Sequence, residues 1–182
     1  MPFEFRPADL PGLVIVAPKV YDDDRGSFSE TYKRSDFVAA GIFEEFIQDN
    51  RSISRKGTLR GLHFQRPPHM QAKLVQVVRG AAWDVAVDLR KGSPTYLKWF
   101  GLELSASNRL MLYIPGGFAH GFLALEEDTI FSYKCSSAYN RESEGGIRWD
   151  DPDLGISWPD GQIHVSDKDA SLPYWREEKV EF

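Results

Sequence analysis

The sequence holds a single cysteine, Cys135, so no internal disulfide can form, and the chain is expected in a reducing, cytoplasmic setting. No apolar run approaches the roughly 18 residues that a membrane-spanning helix needs. The opening Met1-Pro2-Phe3-Glu4-Phe5-Arg6 lacks the charged-then-apolar pattern of a signal peptide. Histidine is scarce too, at His63, His69, His120 and His164. No His-x-His pair occurs, and that pair is the usual metal signature of a small β-barrel. His63 and Gln65 have the spacing, but an amide is a poor ligand for a transition metal, so no metal is expected. There is no glycine-rich phosphate loop and no Gly-x-Ser-x-Gly elbow. Positive charge is also lacking. The net charge of -5 leaves no basic footprint for nucleic acid or an anionic membrane.

What is present is a chain of 182 residues, enough for one domain spanning 1–182 with a sizeable core. Its pattern is of short apolar runs cut by glycine and proline. Strands are expected at Leu13–Ala17, Ser27–Tyr32, Leu74–Val78, Trp83–Leu89, Tyr96–Leu104, Arg109–Ile114, Gly121–Leu125 and Thr129–Cys135. That spacing indicates an all-β sandwich or barrel. Helical signals are few. One short helix fits Ser35–Gly41, with Ser35 as cap candidate and glycine as terminator. Another is expected near Asp167. Residues from Asp150 onward read as irregular structure laid on the barrel. In the Trp83 segment, Trp83, Val85, Val87 and Leu89 share one face and should form core. Asp84, Ala86 and Asp88 share the other, which faces either solvent or a polar cavity.

Several strand-like runs carry polar residues suited to chemistry. Leu59-Arg60-Gly61-Leu62-His63-Phe64-Gln65 places Arg60 and His63 at opposite parity, and a bulge at Gly61 would turn both inward. Taken singly, His63 reads as a core histidine, Lys73 as a solvated strand-end lysine and Tyr133 as a packed tyrosine. His120, flanked by glycines, reads as part of a turn or as a close approach to a ligand. Cys135 reads as a small buried residue. Together these residues supply a base, a cation and an acid, the parts for removing a proton next to a carbonyl.

The ordered set of motifs goes further. Arg25-Gly26-Ser27-Phe28-Ser29-Glu30, Gln48-Asp49-Asn50, Leu59 to Gln65, Ala72-Lys73-Leu74-Val75 and Asp84 to Leu89 resemble the dTDP-4-dehydrorhamnose 3,5-epimerase family. So do Pro115 to Phe122, Tyr133-Lys134, Trp149-Asp150-Asp151-Pro152 and Ser166-Asp167-Lys168-Asp169. The likeness runs in order over nearly the whole chain. Ala72 departs from it, standing where many relatives carry glycine, and leaves the catalytic set intact.

The resemblance implies a cupin-like jelly roll, a homodimer with cross-subunit site contacts, and no cofactor. It implies a dTDP-4-keto-6-deoxyglucose substrate inverted at C3 and C5 through an enolate, in dTDP-L-rhamnose biosynthesis. By resemblance His63 is the base, Asp169 orients it, Lys73 faces the C4 oxygen and Tyr133 is the acid on the other face. Arg25 and Arg60 are expected on the diphosphate with Lys168 nearby. Glu30, Gln48, Asp49 and Asn50 are expected on the nucleotide, with Phe28 and Tyr139 packed against base or sugar. His120 and Glu144 are expected in the pocket. Two other readings stay open: an epimerase that inverts C3 alone in another deoxysugar pathway, and a barrel that binds nucleotide sugars without catalysis.

Overall fold

The computed structural model describes residues 2–178, 180 and 182. Two antiparallel sheets face one another. The first contains β1 (Phe3–Pro7), β2 (Val14–Pro18), β5 (Gln48–Ser54), β7 (Lys73–Arg79), β10 (Met111–Ile114) and β12 (Thr129–Cys135), in the order β1-β2-β10-β7-β12-β5. The second runs β13-β6-β11-β8-β9, from β6 (Thr58–Gln65), β8 (Ala81–Asp88), β9 (Trp99–Ser105), β11 (Phe118–Ala124) and β13 (Glu144–Gly146). From β5 to β13 the chain crosses between sheets at each step except the β8–β9 hairpin. That is the path of a jelly roll. β3 (Tyr21–Asp23) and β4 (Gly26–Phe28) form a separate hairpin. Among the described residues no helix is long and apolar enough to cross a membrane.

The core between the sheets joins Val75, Val77, Leu112, Ile114 and Phe131 of one sheet to Ala82, Ala86, Leu104, Phe118 and Phe122 of the other. Phe122 and Phe131 stack across it with ring centroids 4.0 Å apart. Each sheet is covered on its outer face as well. Helix α1 (Arg34–Ala39) lays Phe37 against Phe3, Val16 and Leu74. The irregular C-terminal segment lays Leu154, Trp158 and Trp175 on Leu62, Phe64, Val85 and Val87.

The face of β8 expected to form core does so, in the outer layer. Val85, Val87 and Leu89 are buried, but beneath the C-terminal segment rather than between the sheets. Ala82 and Ala86 face the inner core. The acidic face, left open between solvent and a polar cavity, is buried: the Asp84 and Asp88 side chains are 0% exposed, and Ala86 between them joins the inner apolar core.

Most expected strands form near their expected places, with shifted ends. β4 stops at Phe28 and β9 starts only at Trp99. β11 reaches back to Phe118, so His120 lies inside a strand and not in a turn. α1 begins one residue before Ser35 with Lys33 at its cap, and Gly41 follows it with φ +87. β1 and β5 carried no strand expectation, and the polar sequence of β5 (Gln48 to Ser52) explains its escape.

The bulge expected at Gly61 is present. Pairing of β6 with β11 shifts register between His120–His63 and Phe122–Arg60. Gly61 has φ +122, a conformation that favours glycine. A Cβ there would stand 2.6 Å from the Gly121 Cα and 2.8 Å from the His120 carbonyl oxygen. We expect Gly61→Ala to lower the free energy of unfolding by about 2–4 kcal/mol, combining backbone strain and overpacking. Urea denaturation measures this, and an unchanged midpoint would contradict it.

Candidate functional site

A polar cleft opens at one end of the inter-sheet space. It has two adjoining lobes, of about 430 Å³ and about 300 Å³, and His63, Lys73 and Tyr133 line both. Strand register sets the first wall. Cys135 sits between Gln48 and Lys73, while Tyr133 sits between Asn50 and Val75. Alternation along the strands then puts Gln48, Asn50, Lys73, Tyr133 and Cys135 on one face. The other wall is β6, where the bulge turns both Arg60 and His63 toward the cleft.

His63 is oriented from behind. The two-residue strand β14 (His164–Val165) runs parallel to β6 and leads into α2 (Asp167–Ala170). Ser166 caps α2 by accepting the Asp169 amide, 3.1 Å away. This brings the Asp169 carboxylate onto β6. Its Oδ1 lies 2.7 Å from His63 Nε2, and its Oδ2 accepts the Gly61 amide at 3.2 Å. A neutral imidazole that donates Nε2–H to Asp169 keeps its lone pair on Nδ1. The His63 side chain is one-third exposed, at 33%, so the ring reaches the cleft.

The charges around this pair are unequal. Burial alone would raise the Asp169 carboxyl, but the His63 hydrogen bond and charge, the Gly61 amide and Lys168 together hold it below its ordinary value. Burial pushes the Lys73 ammonium down, with Cys135 and Asp84 acting against that. Burial also pushes the Tyr133 phenol up, and Cys135 adds to this while Arg60 opposes it. The Lys73 ammonium sits 5.9 Å from the centre of the Tyr133 ring.

His120 lies beside His63 on β11 and lines the smaller lobe. Its Nε2 is 2.8 Å from Asp84 Oδ2. Burial pushes its imidazole down, against the opposing pull of Asp84. At the cleft's mouth Glu144 accepts from Lys168 at 2.7 Å and from the Tyr139 hydroxyl at 3.1 Å. Arg51, Ser52 and Ser166 line the smaller lobe as well. Sequence reasoning did not place these three, nor did it give Asp84 a role.

Gln65 takes a structural part. Its amide donates to the His69 and Ala138 carbonyls and accepts the Asn140 amide, which anchors the loop carrying Tyr139. Among the described residues no group of three or more His, Cys, Asp or Glu gathers as a metal site.

Thus the cleft gathers His63, Lys73, Tyr133, Asp169, Gln48, Asn50, Arg60, His120, Tyr139, Glu144 and Lys168. Four expected residues are not brought to it. Asp49 points to the opposite face of β5, by strand alternation, and pairs with Lys134 at 2.9 Å. Arg25 and Phe28 project from the separate β3–β4 hairpin, and Arg25 pairs with Asp23 at 2.7 Å. Glu30 follows that hairpin, half-buried.

The comparisons with known proteins agree on one family. The model described as dTDP-4-dehydrorhamnose 3,5-epimerase matches residues 7–177. The dTDP-4-dehydrorhamnose 3,5-epimerase of Methanothermobacter thermautotrophicus is 49% identical over 181 residues, covering 98% of this chain and 97% of that one. Among solved structures, the dTDP-4-dehydrorhamnose 3,5-epimerase of Elizabethkingia anophelis is 45% identical with a TM-score of 0.93, over 98% of this chain and 99% of its own. The dTDP-6-deoxy-D-glucose-3,5-epimerase of Legionella pneumophila, solved with dTDP-4-keto-L-rhamnose, is 44% identical with a TM-score of 0.91, over 94% and 92%.

A carboxylate held below its ordinary value contributes stability that is present above the unfolded value, about 4, and is lost as pH falls through the folded one. Asp169 is such a group. Asp169→Asn should therefore be less stable than the parent near neutral pH, with the gap closing as pH falls below about 4. Thermal melts across that range measure it, and a gap independent of pH would refute it.

Proposed function

The chain belongs to the dTDP-4-dehydrorhamnose 3,5-epimerase family, and from that premise we propose how its cleft inverts a dTDP-4-keto-6-deoxy sugar at the two carbons flanking the ketone. It is an isomerase of nucleotide-linked carbohydrate. The observation that carries the reading is the placement of a base and an acid on opposing walls. His63 comes from β6 of one sheet, and Tyr133 from β12 of the other.

A hydrogen beside a ketone is acidic because the anion left behind spreads onto oxygen. His63 Nδ1 takes that proton, and the resulting imidazolium is held by Asp169 through Nε2, as in a His-Asp dyad. The electron pair of the C–H bond moves into the enolate. Its charge gathers on the C4 oxygen, where the Lys73 ammonium provides a fixed electrostatic partner. Inversion needs a proton on the opposite face of that carbon. The Tyr133 phenol supplies it and regains a proton from solvent, to which the His63 imidazolium releases the one it took. A phenol made a weaker acid by burial still protonates a carbanion-like centre readily. C3 and C5 both adjoin C4, so one enolate-forming site serves both.

The nucleotide end needs anion contacts. Arg60 and Lys168 line the smaller lobe and suit the diphosphate, and Arg51 adds a third cation there. Gln48, Asn50, Tyr139 and Glu144 of the larger lobe suit the remaining polar groups. Arg25 and Phe28, both strongly exposed on the hairpin, are suited to complete the cleft of a second copy in a homodimer. A chain with one buried thiol suits the cytoplasm.

Incubation with dTDP-4-keto-6-deoxyglucose in deuterated water tests this reading. Deuterium is expected at both C3 and C5. Label at C3 alone would support a C3-only epimerase, and none at either would leave a binding protein. His63→Ala should slow exchange at both carbons by about 10²–10⁴-fold. Tyr133→Phe should spare proton loss more than inversion, and equal loss of both would remove Tyr133 from the acid's role. In the same assay Arg25→Ala should raise KM while leaving kcat near its parent value. An unchanged KM would remove Arg25 from the site.

A further inference from the structure

Two acids lie on the same face of β8, and both side chains are 0% exposed. Asp88 is fully provided for. Its Oδ1 accepts from the Arg90 amide and Nε, and its Oδ2 accepts from Arg90 Nη2, Ser93 and Thr95 at 2.6–2.8 Å. Asp84 is not. Its Oδ2 meets His120 Nε2 at 2.8 Å, while its Oδ1 is buried with no hydrogen-bond partner among the described residues.

Burying a carboxylate is costly unless hydrogen bonds and an opposite charge offset it. His120 offers a hydrogen bond but little charge, because burial disfavours its cation. The cation that can compensate it is Lys73, which lines the same lobe as His120, the hydrogen-bond partner of Asp84, and on whose ammonium the Asp84 charge acts against burial. The other titratable and charged groups of the cleft around Lys73 are Tyr133 and Cys135 on β12, Arg60 and His63 on β6, His120 on β11, Arg51 on β5, Glu144 on β13, and Lys168 and Asp169 on α2. Tyr133 and Cys135 are both pushed upward by burial, which favours their neutral forms. Glu144 is engaged by Lys168 and Tyr139, and Asp169 by His63 and the Gly61 amide, which leaves Asp84, with one oxygen unpartnered among the described residues, as the carboxylate that can hold the charge on Lys73.

We propose that Asp84 is a positioning residue for the reaction, keeping Lys73 in its ammonium form and His120 in a single tautomer from behind the cleft floor. The proposal rests on the reading of Lys73 as the cation facing the enolate oxygen. Asp84 never touches the sugar. It acts through Lys73, whose charge stabilises the enolate, and through His120, whose Nε2–H it accepts.

The test is a double-mutant cycle on the full chain with Asp84→Asn, Lys73→Met and the pair together. Asparagine keeps an acceptor for His120 and removes the charge. Asp84→Asn should lower the melting temperature of the parent and raise that of Lys73→Met, since there the carboxylate has lost its cation. Equal shifts in both backgrounds would overturn the pairing, and this readout does not depend on the reaction. The second readout is the pH dependence of kcat for solvent deuterium exchange. Without Asp84 the Lys73 ammonium gives up its proton more easily, so the alkaline loss of activity should begin at lower pH in Asp84→Asn than in the parent. An alkaline limb that stays in place would overturn the catalytic half of the proposal. Lys73→Met with undiminished exchange would instead overturn the role given to Lys73 itself.

Discussion

The cleft depends on one close approach, that of the β6 backbone to the β11 backbone at Gly61 and Gly121. Neither position has room for a side chain, since a Cβ on either would stand within 3 Å of main-chain atoms of the facing strand. The approach makes room for a bulge, and the bulge breaks strand alternation where it is needed. Arg60 and His63, three residues apart, would point to opposite faces of a regular strand and instead line one lobe. The same bulge directs the Gly61 amide at Asp169, which binds His63 with its other oxygen. The proposed base, its orienting carboxylate and a proposed phosphate ligand are all set by one irregularity in one strand.

Around that point the fold works by double cover. Each sheet is buried on its inner face against the other sheet and on its outer face by α1 or by the C-terminal segment. The inner space can then tolerate a polar end, because much of the apolar burial lies in the two outer layers. Cys135, Asp84 and His120 are buried there, and Lys73 and Tyr133 are half-buried beside them. In such surroundings a fixed charge acts more strongly on a developing enolate than it would in water. The cost is a set of buried polar groups that need partners, and the pairs His63–Asp169 and His120–Asp84 meet part of it.

Much of this was legible in the sequence, and the exceptions have physical causes. β-branched and aromatic runs marked β2, β7, β8, β10 and β12. β5 escaped because its edge position lets it carry Gln48, Asp49, Asn50, Arg51 and Ser52. The two faces of β8 could not be assigned from parity, since both are buried and the bulkier one lies under the tail. Ordered motifs identified the family and the cleft residues, including Asp169, which is 106 positions from its partner His63. They did not give Asp84 a role, because a small acidic residue alternating with alanines looks the same on a solvated face. Arg25 and Phe28 matched the motif but stand away from their own chain's cleft.

The account turns on which nitrogen of His63 is free to take the proton. Long-range proton–nitrogen correlation spectra of protein labelled with nitrogen-15 at histidine read this directly, and four histidines make assignment by single substitution practical. The His63 ring is expected to carry its proton on Nε2, toward Asp169, with Nδ1 bare. A ring protonated on Nδ1 alone would leave no base facing the cleft and would contradict the mechanism.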